Sequence, residues 1–307
     1  MSNTTGAVIK PDLKGLYKLL ASGKVRDLYE IDDKTLLFVA TDRISAFDVI
    51  LDNGIPDKGG LLTQLSAHWF SVLSQKVPSL RTHFLTLDLP EKLAQSDLAP
   101  VFQGRSMQVR RLKVLPLESI VRGYITGSAW SEYKKSGTVH GIKMPEGLRE
   151  SQELETPIWT PSTKAEVGDH DENISPQKAA EIVGEDFANQ ISNLSLQLYI
   201  AGRDHAARRG IIIADTKFEF GLDESTTPPS VVLIDEVLTP DSSRFWDQAK
   251  YEVGRAQDSL DKQPLRDWLK QAGLKDVKGV KMPDEVVART RNGYTEAYER
   301  LTGKRWA

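Results

Sequence analysis

The sequence predicts an α+β protein in two parts, a β-rich N-terminal lobe over residues 1–115 and a larger mixed domain over residues 116–307. β-rich runs separated by turn residues dominate the first part. Helical periodicity and apolar runs that contain acids alternate in the second part. A chain of 307 residues also exceeds the size at which one hydrophobic core stops growing, which favours two domains.

The N-terminal lobe contains the first predicted hairpin. A short helix is predicted at residues 16–21. β-rich runs follow at 24–31 and 35–40, and the Asp32-Asp33 pair between them has the chemistry of a hairpin turn. Apolar residues then recur at helical spacing across 61–77, which predicts a helix.

Strands and a long loop are predicted on either side of the boundary between the two parts. The strands, at 107–115 and 117–125, are separated by Pro116. Residues 138–175 are rich in glycine, proline, threonine and charge, and a stretch this long without periodicity predicts a functional or disordered loop. Ser175-Pro176 offers an N-cap serine and a proline at the first helical position, so a helix is predicted to begin there.

The rest of the mixed domain alternates helices and strands. Its predicted elements are a helix from 176 to 209 with a break at Gly184, strands at 211–220 and 231–238, and helices at 263–272 and 283–301. The last two helices lie in a helical end that spans residues 256–307. This order of elements is typical of an α+β enzyme.

The composition limits partners and chemistry. Forty Lys and Arg against 43 Asp and Glu leave a formal charge of −3, so no basic excess favours nucleic acid or a membrane surface. The absence of cysteine excludes disulfides, thiolate catalysis and cysteine-based metal sites. Because the start does not resemble a signal peptide and no apolar run approaches ~20 residues, we expect a cytoplasmic protein. We also expect it to act as a monomer.

Common nucleotide-binding motifs are missing. Gly23-Lys24 has Lys18 where a P-loop has its first glycine, and Val25 follows in place of serine or threonine. No Gly-x-Gly occurs, which excludes the dinucleotide fingerprint and the kinase glycine loop. The five histidines are scattered without metal-ligand spacing.

Residues 22–27 place cations beside a glycine. Strand alternation puts Lys24 and Arg26 on one face, and Gly23 lets the backbone approach a ligand closely. Two cations near exposed backbone N–H groups suit a polyphosphate. The alternative is a hairpin strand with a solvated basic face, and these residues by themselves favour that alternative.

An acid–base–acid row follows an apolar strand start at residues 211–214. Alternation places Asp215, Lys217 and Glu219 on one face, about 6.5–7 Å apart. If residues 221–230 form a hairpin turn, Glu219 lies opposite Asp235 to within a residue. Two carboxylates on neighbouring strands suit Mg²⁺, and the alternative is a buried ion network in which Lys217 bridges the acids.

Two further segments have the residues of an anion pocket. Arg122 stands at a strand end, and glycine and Ser128 follow where a helix begins, so helix N–H groups, a hydroxyl and a guanidinium are available together. Residues 239–244 offer hydroxyls and Arg244 just after another strand. The alternative for both segments is a capped turn, which is the commoner use of such residues.

Two of these stretches are long and chemically unusual. Residues 114–122 with 126–128, and residues 212–221, resemble the hallmark segments of the SAICAR synthetase (phosphoribosylaminoimidazole-succinocarboxamide synthase) family. Further segments that match the family are 23–27, 42–48, 163–166, 170–173 and 235–244. The resemblance extends from about residue 15 to the C-terminus and is strongest to the longer, single-function form found in fungi.

The resemblance implies both a fold and a reaction. The N-terminal lobe would be similar to the nucleotide lobes of kinases and ATP-grasp enzymes, with ATP in the cleft between the domains. The reaction would join 4-carboxy-5-aminoimidazole ribotide (CAIR) to L-aspartate in de novo purine biosynthesis, giving SAICAR, ADP and phosphate. ATP and Mg²⁺ would serve to activate the CAIR carboxylate as an acyl phosphate.

The same resemblance implies roles for individual residues. The implied ATP-binding residues are Gly23, Lys24, Arg26, Lys164, Glu219 and Asp235, of which the last two would also hold Mg²⁺. The implied substrate-binding residues are Ser45, Asp48, Arg122, Ser128, Asp171, Asp215, Lys217 and Arg244. Within these sets Lys24, Asp215 and Lys217 are the expected catalytic groups.

Two other classes of function stay open at the level of sequence. A small-molecule kinase of the same fold, acting on a polyol such as an inositol polyphosphate, would share the metal acids. It would not need the anion pocket at Arg122 and Ser128. A catalytically inactive binding protein would have lost Lys24, Glu219 or Asp235, and all three are present.

Overall fold

The computed structural model describes residues 6–47, 49–164 and 172–306, and its mixed helices and sheets confirm the α+β class. The chain divides into two compact units. Unit 1 comprises Met1–His68, Phe84–Arg111 and Leu260–Ala307, and unit 2 comprises Trp69–His83 and Leu112–Ser259. No helix formed by the described residues is long and apolar enough to cross a membrane.

Unit 1 is built on an antiparallel sheet. The elements in the first part of the chain are β1 (Lys18–Ser22), β2 (Arg26–Glu30), β3 (Thr35–Ala40), β4 (Ser45–Ala46), β5 (Val49–Ile50), α1 (Lys58–Lys76), β6 (Phe84–Thr86), α2 (Glu91–Ala94), α3 (Ala99–Phe102) and β7 (Ser106–Arg110). The sheet has the order β1-β2-β3-β7-β6. Because strand side chains alternate between faces, Leu37 and Val39 of β3 both reach a core with Tyr29 and Phe102.

Unit 2 is organised around one long strand of a six-stranded sheet. Its elements are β8 (Lys113–Tyr124), α4 (Gly127–Ser136), β9 (Thr138–Val139), β10 (Ile142–Lys143), β11 (Glu153–Trp159), β12 (Ser162–Thr163), α5 (Pro176–Val183), α6 (Glu185–Ala207), β13 (Ile211–Asp223), β14 (Ser230–Ile234), β15 (Ser243–Asp247) and a 3-10 helix (Gln248–Lys250). Strand β13 pairs antiparallel with β8, β14 and β15. Helix α6 packs on it, and the Tyr199 hydroxyl donates to the Ile213 carbonyl at 2.7 Å.

The C-terminal segment completes unit 1 with α7 (Gln263–Gln271) and α8 (Asp284–Thr302). Asn53 exchanges two hydrogen bonds with the backbone of Met282, at 3.0 and 2.7 Å. Arg291 of α8 pairs with Asp57. The prediction placed residues 256–307 with the mixed domain, whereas residues 260–307 belong to unit 1. The grouping differs because these contacts tie the segment to residues far away in sequence.

Most predicted elements are confirmed. The first hairpin appears as β2 and β3, and the helix at 61–77 as α1. Ser175 accepts the Lys178 N–H at 3.1 Å as the N-cap of α5, and Gly184 separates α5 from α6. Strands β13 and β14 and helices α7 and α8 lie close to their predicted positions.

Three predictions about local structure are wrong. The helix at 16–21 is instead strand β1, whose five exposed residues show no burial periodicity and pair with β2. Pro116 lies inside β8, where the pairing with β13 is irregular and its missing N–H is tolerated. The stretch 138–175 forms β9, β10, β11 and β12 where the chain is described, because β9 and β10 pair with each other and β8 supplies partners for β11 and β12.

Candidate functional site

An arginine pair, formed by Arg122 and Arg244, lies where β8 and β13 run side by side. Asp215 is the register partner of Arg122, so the two buried side chains meet, with Arg122 Nη1 donating to Asp215 Oδ2 at 3.1 Å. Arg244 Nη1, from β15, donates to the same oxygen. Arg122 Nε also donates to the Thr160 hydroxyl at 3.0 Å. Three residues predicted to bind substrate are thereby brought together.

The N-terminus of α4 lies against the arginine pair. A Cβ atom built on Gly127 would lie 2.6 Å from Arg244 Nη2, so a side chain at this position would displace the guanidinium. Gly127 also has a φ of 59°, which glycine adopts without strain. The N-cap Thr126 makes no side-chain hydrogen bond to the first turn. The start of α4, which includes Ser128, therefore lies next to Arg244.

The charge at the arginine pair is unbalanced. Two guanidinium groups share the single carboxylate of Asp215. Burial lowers the pKa of Arg122. The carboxylate of Asp215 raises this pKa, and the positive charge of Arg244 lowers it. Because an arginine stays protonated in proteins, the directly paired groups leave one positive charge over, which Glu132 opposes more weakly than Asp215 does. This surplus favours an anion.

His140 lies behind the arginine pair. Its Nδ1 donates to the Pro161 carbonyl at 2.9 Å, and its Nε2 has no hydrogen-bond partner within the described part of the chain. Burial lowers the pKa of His140, and the charge of Arg122 lowers it further. A neutral histidine therefore lies beside the guanidinium, so it adds no positive charge of its own.

A second cluster lies further along the same two strands and is centred on Glu219. This acidic cluster consists of Glu118, Glu219 and Asp235 with Lys164 and Lys217. Glu219 is the register partner of both Glu118 on β8 and Ile234 on β14. Lys217 Nζ donates to Glu219 Oε1 at 3.2 Å and to Glu118 Oε1, and Lys164 Nζ donates to Glu219 Oε2. Glu219 thus lies one register position from Asp235, as predicted.

The lysine in this acidic cluster is held in its charged form. Burial alone would lower the pKa of Lys217, but Glu219, Glu118 and Asp235 together raise it well above its usual value. Three carboxylates therefore act on one ammonium group. This is the ion network that the sequence left open as the alternative to a metal site.

The acidic cluster also fits a divalent cation. Glu118, Glu219 and Asp235 bring three carboxylates to a cluster that also contains the ammonium groups of Lys164 and Lys217. Both Glu219 oxygens already point at cationic nitrogen atoms. No group of three His, Asp or Glu side chains suited to hold a metal occurs within residues 6–47, 49–164 and 172–306. Mg²⁺ would use one or two carboxylates and complete its shell with phosphate and water oxygens.

The turn after β14 uses its hydroxyl groups internally. The Thr239 hydroxyl donates to Glu236, and the Thr239 N–H donates to Ser242 Oγ at 3.1 Å. Ser243 Oγ lies 2.8 Å from the Thr216 hydroxyl. The hydroxyls of Thr239 and Ser242 thus cap the turn, as the alternative of a capped turn predicts.

The predicted nucleotide residues Gly23, Lys24 and Arg26 lie in unit 1, at the turn between β1 and β2. Gly23 N–H donates to the Arg26 carbonyl at 2.7 Å, and the Arg26 guanidinium lies 5.5 Å from the centre of the Phe38 ring. Ser45 lies in β4 and is half-buried. Asp48 and Asp171, both predicted to bind substrate, lie outside the described residues.

Glu118 and Thr160 were not predicted as site residues. Glu118 had a signal, since it is a lone acid in an alternating apolar stretch that becomes β8. Thr160 had none, because its contact with Arg122 joins residues 38 positions apart. The fold and the two clusters together define an α+β protein that carries a basic and an acidic cluster on the same pair of strands.

Comparison with known proteins identifies the family. The SAICAR synthetase family profile matches residues 19–283. The phosphoribosylaminoimidazole-succinocarboxamide synthase of Saccharomyces cerevisiae is 57% identical over 98% of this chain and 99% of the relative. A solved SAICAR synthase from that yeast, complexed with SAICAR, superposes with a TM-score of 0.91 at 55% identity, covering 98% of this chain and 99% of its own. A solved SAICAR synthetase in complex with ADP superposes with a TM-score of 0.68 at 27% identity, covering 94% of this chain and 100% of its own.

The chain belongs to the SAICAR synthetase family. It is an enzyme of the ligase class that acts in purine biosynthesis, as its relatives do. The resemblance to the fungal form is confirmed. The alternative of a small-molecule kinase has no support in these comparisons.

Proposed function

We propose that the chain uses ATP and Mg²⁺ to join CAIR to L-aspartate, releasing SAICAR, ADP and phosphate. The observation that carries the proposal is the pair of clusters on β8 and β13, one with two guanidinium groups around Asp215 and one with carboxylates around Lys217. Relatives solved with SAICAR and with ADP support the choice of ligands.

The arginine pair is assigned to the ribotide phosphate. Arg122 and Arg244 supply charge-assisted donors, and Ser128 with the first N–H groups of α4 supplies the rest. Asp215 keeps the two guanidinium groups in one place. Four residues of strand separate Arg122 from Glu118, roughly 13 Å, which a ribotide and a phosphoryl group can fill end to end.

The acidic cluster is assigned to the reacting end of the complex. Glu219 and Asp235 would hold Mg²⁺, which neutralises phosphate charge when bound. Gly23, Lys24 and Arg26 are assigned to the ATP phosphates, with Lys164 as a further contact. Lys217, which stays protonated, is assigned to the CAIR carboxylate, and Asp215 is assigned to the imidazole.

The chemistry follows from the weak reactivity of a carboxylate. A CAIR carboxylate oxygen attacks the γ-phosphorus, the bond to the β-phosphate oxygen breaks, and ADP leaves. The aspartate amine then attacks the acyl carbon and inorganic phosphate leaves with the original carboxylate oxygen. Such a transfer is catalysed mainly by positioning and charge neutralisation, which is what Lys24, Lys217 and the arginine pair offer.

Isotope transfer and ADP release test this reaction. CAIR labelled with ¹⁸O in its carboxylate should deliver one label to inorganic phosphate per turnover and none to ADP. Sustained ADP release should require CAIR and aspartate together, and either substrate alone should give little. Unlabelled phosphate would show that water or an enzyme group had accepted the phosphoryl group, and would exclude the acyl phosphate.

The proposal includes a monomeric enzyme that acts in the cytoplasm on small molecules, without nucleic-acid or membrane partners. Sedimentation of the purified protein tests the first point. Fractionation of the producing cells tests the second.

A further inference from the structure

Arg43 is surrounded by acceptors at the turn between β1 and β2. Its Nε donates to the Lys24 carbonyl at 3.2 Å and its Nη1 to the Ile9 carbonyl at 2.9 Å. Its Nη2 donates to the Gly23 carbonyl at 2.9 Å. Asp27 accepts the two remaining bonds, at 2.7 and 3.5 Å. A guanidinium has five N–H groups, so the chain itself occupies every donor of Arg43.

The two carbonyls held in this turn belong to consecutive peptide units. A trans peptide points its N–H away from its C=O. The Gly23 carbonyl shares its unit with the Lys24 amide, and the Lys24 carbonyl shares its unit with the Val25 amide. When Arg43 holds both carbonyls, it therefore turns both amides towards the opposite side. Successive amides facing one side form an anion-binding concavity.

Other contacts hold the same turn from its flanks. Asp27 is 4% exposed and also accepts the Ser22 hydroxyl at 2.6 Å. The Thr41 N–H and hydroxyl both donate to the Val25 carbonyl, at 2.9 and 2.8 Å. Because the Arg43–Asp27 pair is neutral as a whole, it contributes shape to the turn and little net charge.

We propose that Arg43, held by Asp27, is a positioning residue that presents the backbone amides of Lys24 and Val25 to the phosphates of the nucleotide. The inference rests on the proposed binding of ATP phosphates by residues 23–26. Arg43 does not touch the nucleotide in this arrangement, since its donors are taken by the chain. It acts by fixing the amides before the phosphates arrive, which lowers the ordering cost of binding.

Arg43→Ala tests the inference through ATP binding. The dissociation constant for ATP should rise about tenfold to a hundredfold, because both amides lose their fixed direction toward a charged group. The constant for CAIR should stay unchanged. Calorimetry measures both constants, on protein whose folding is verified by thermal unfolding. Added guanidinium ion should restore ATP binding by occupying the space beside Asp27, and sodium chloride at equal ionic strength should not.

Three further variants separate the possible outcomes. Arg43→Lys keeps the charge but has only three donors, so it should lie between the wild type and Arg43→Ala. If Arg43→Ala does not fold, ATP binding is measured on Arg43→Lys instead. Arg105→Lys is the matched control, because Arg105 is a partly buried unit 1 arginine held on Asp42 at 2.9 and 3.2 Å. The Arg105→Lys substitution should lower the stability of the protein and leave ATP binding unchanged.

Lys24→Met distinguishes this inference from the proposed function. Unchanged ATP binding in Lys24→Met would place the phosphates elsewhere, and the assignment of the ATP site would fail. If Lys24→Met weakens ATP binding but folded Arg43 variants do not, Arg43 is not a positioning residue. Failure of guanidinium to restore binding in Arg43→Ala, or an equal loss of CAIR binding, would overturn the inference as well.

Discussion

Asp215 shows how much a single side chain decides at this site. Its carboxylate is 9% exposed and accepts from two arginines that arrive on different strands, β8 and β15. An uncompensated carboxylate there would be costly, and so would two unpaired guanidinium groups. The three residues therefore hold one another in place, and the surplus positive charge is what a phosphate would neutralise.

The arginine pair yields the first prediction. Arg244→Ala removes a charge-assisted contact worth about 1.5–3 kcal/mol, so the dissociation constant for CAIR should rise about tenfold to a hundredfold. Binding of ATP and the Michaelis constant for aspartate should change much less. Arg203→Ala is the control, because Arg203 lies on α6 and pairs with its neighbour Asp204. If ATP binding fell and CAIR binding did not, the two phosphate sites would have been exchanged.

The acidic cluster yields the second prediction. Glu219→Gln and Asp235→Asn each remove a charge at nearly constant volume, so folding should survive while Mg²⁺-dependent turnover falls by orders of magnitude. Turnover measured across a magnesium titration tests this. Glu224→Gln is the matched control, since Glu224 pairs with Lys113 and both are more than half exposed. Near-normal turnover in Glu219→Gln or Asp235→Asn would refute the metal assignment.

At the scale of elements, the site depends on the antiparallel register of β8 and β13. Asp215 faces Arg122 and Glu219 faces Glu118, so one pair of strands carries both clusters. A shift of one residue would turn every one of these side chains to the other face. Helix α4 adds its N-terminus because Gly127 allows Arg244 to approach.

The two ends of α4 provide a matched pair of glycines for the third prediction. Gly127 and Gly137 have φ values of 59° and 70°, so an alanine should strain either position by about 1 kcal/mol. A Cβ at Gly127 meets Arg244, whereas a Cβ at Gly137 meets nothing within 4 Å. Both alanine variants should therefore lose stability, but only Gly127→Ala should also weaken CAIR binding. Thermal unfolding and calorimetry measure the two effects, and equal CAIR binding in both variants would contradict the role of Gly127.

At the scale of the whole molecule, unit 1 is assembled from both ends of the chain. Tyr294 and Leu301 of α8 are buried, and Trp306 packs against Gly60 so closely that a Cβ there would lie 2.9 Å from the indole. The C-terminal segment is therefore part of the core of unit 1. Gly23, Lys24 and Arg26, which we assign to the ATP phosphates, belong to that unit.

Truncation of the chain tests the role of this segment. Deleting residues 284–307 removes several buried side chains, each worth about 1.5–3 kcal/mol, which is comparable to the total stability of a typical domain. Unit 1 should lose its cooperative unfolding transition, followed by circular dichroism during heating. Arg289→Ala, at an exposed ion pair on the same helix, should change little. A truncated chain that unfolds like the wild type would show that the segment is dispensable.

The sequence by itself determined the α+β class, most helices and strands, and the row Asp215, Lys217 and Glu219, because local periodicity and turn chemistry encode them. It also carried the family resemblance. Tertiary structure alone decided that β1 is a strand and that Thr160 and His140 lie beside Arg122. It likewise decided that residues 260–307 complete unit 1 and that Arg43 holds the turn at Gly23. These features rest on hydrogen bonds and packing between residues distant in the chain, which no local pattern encodes.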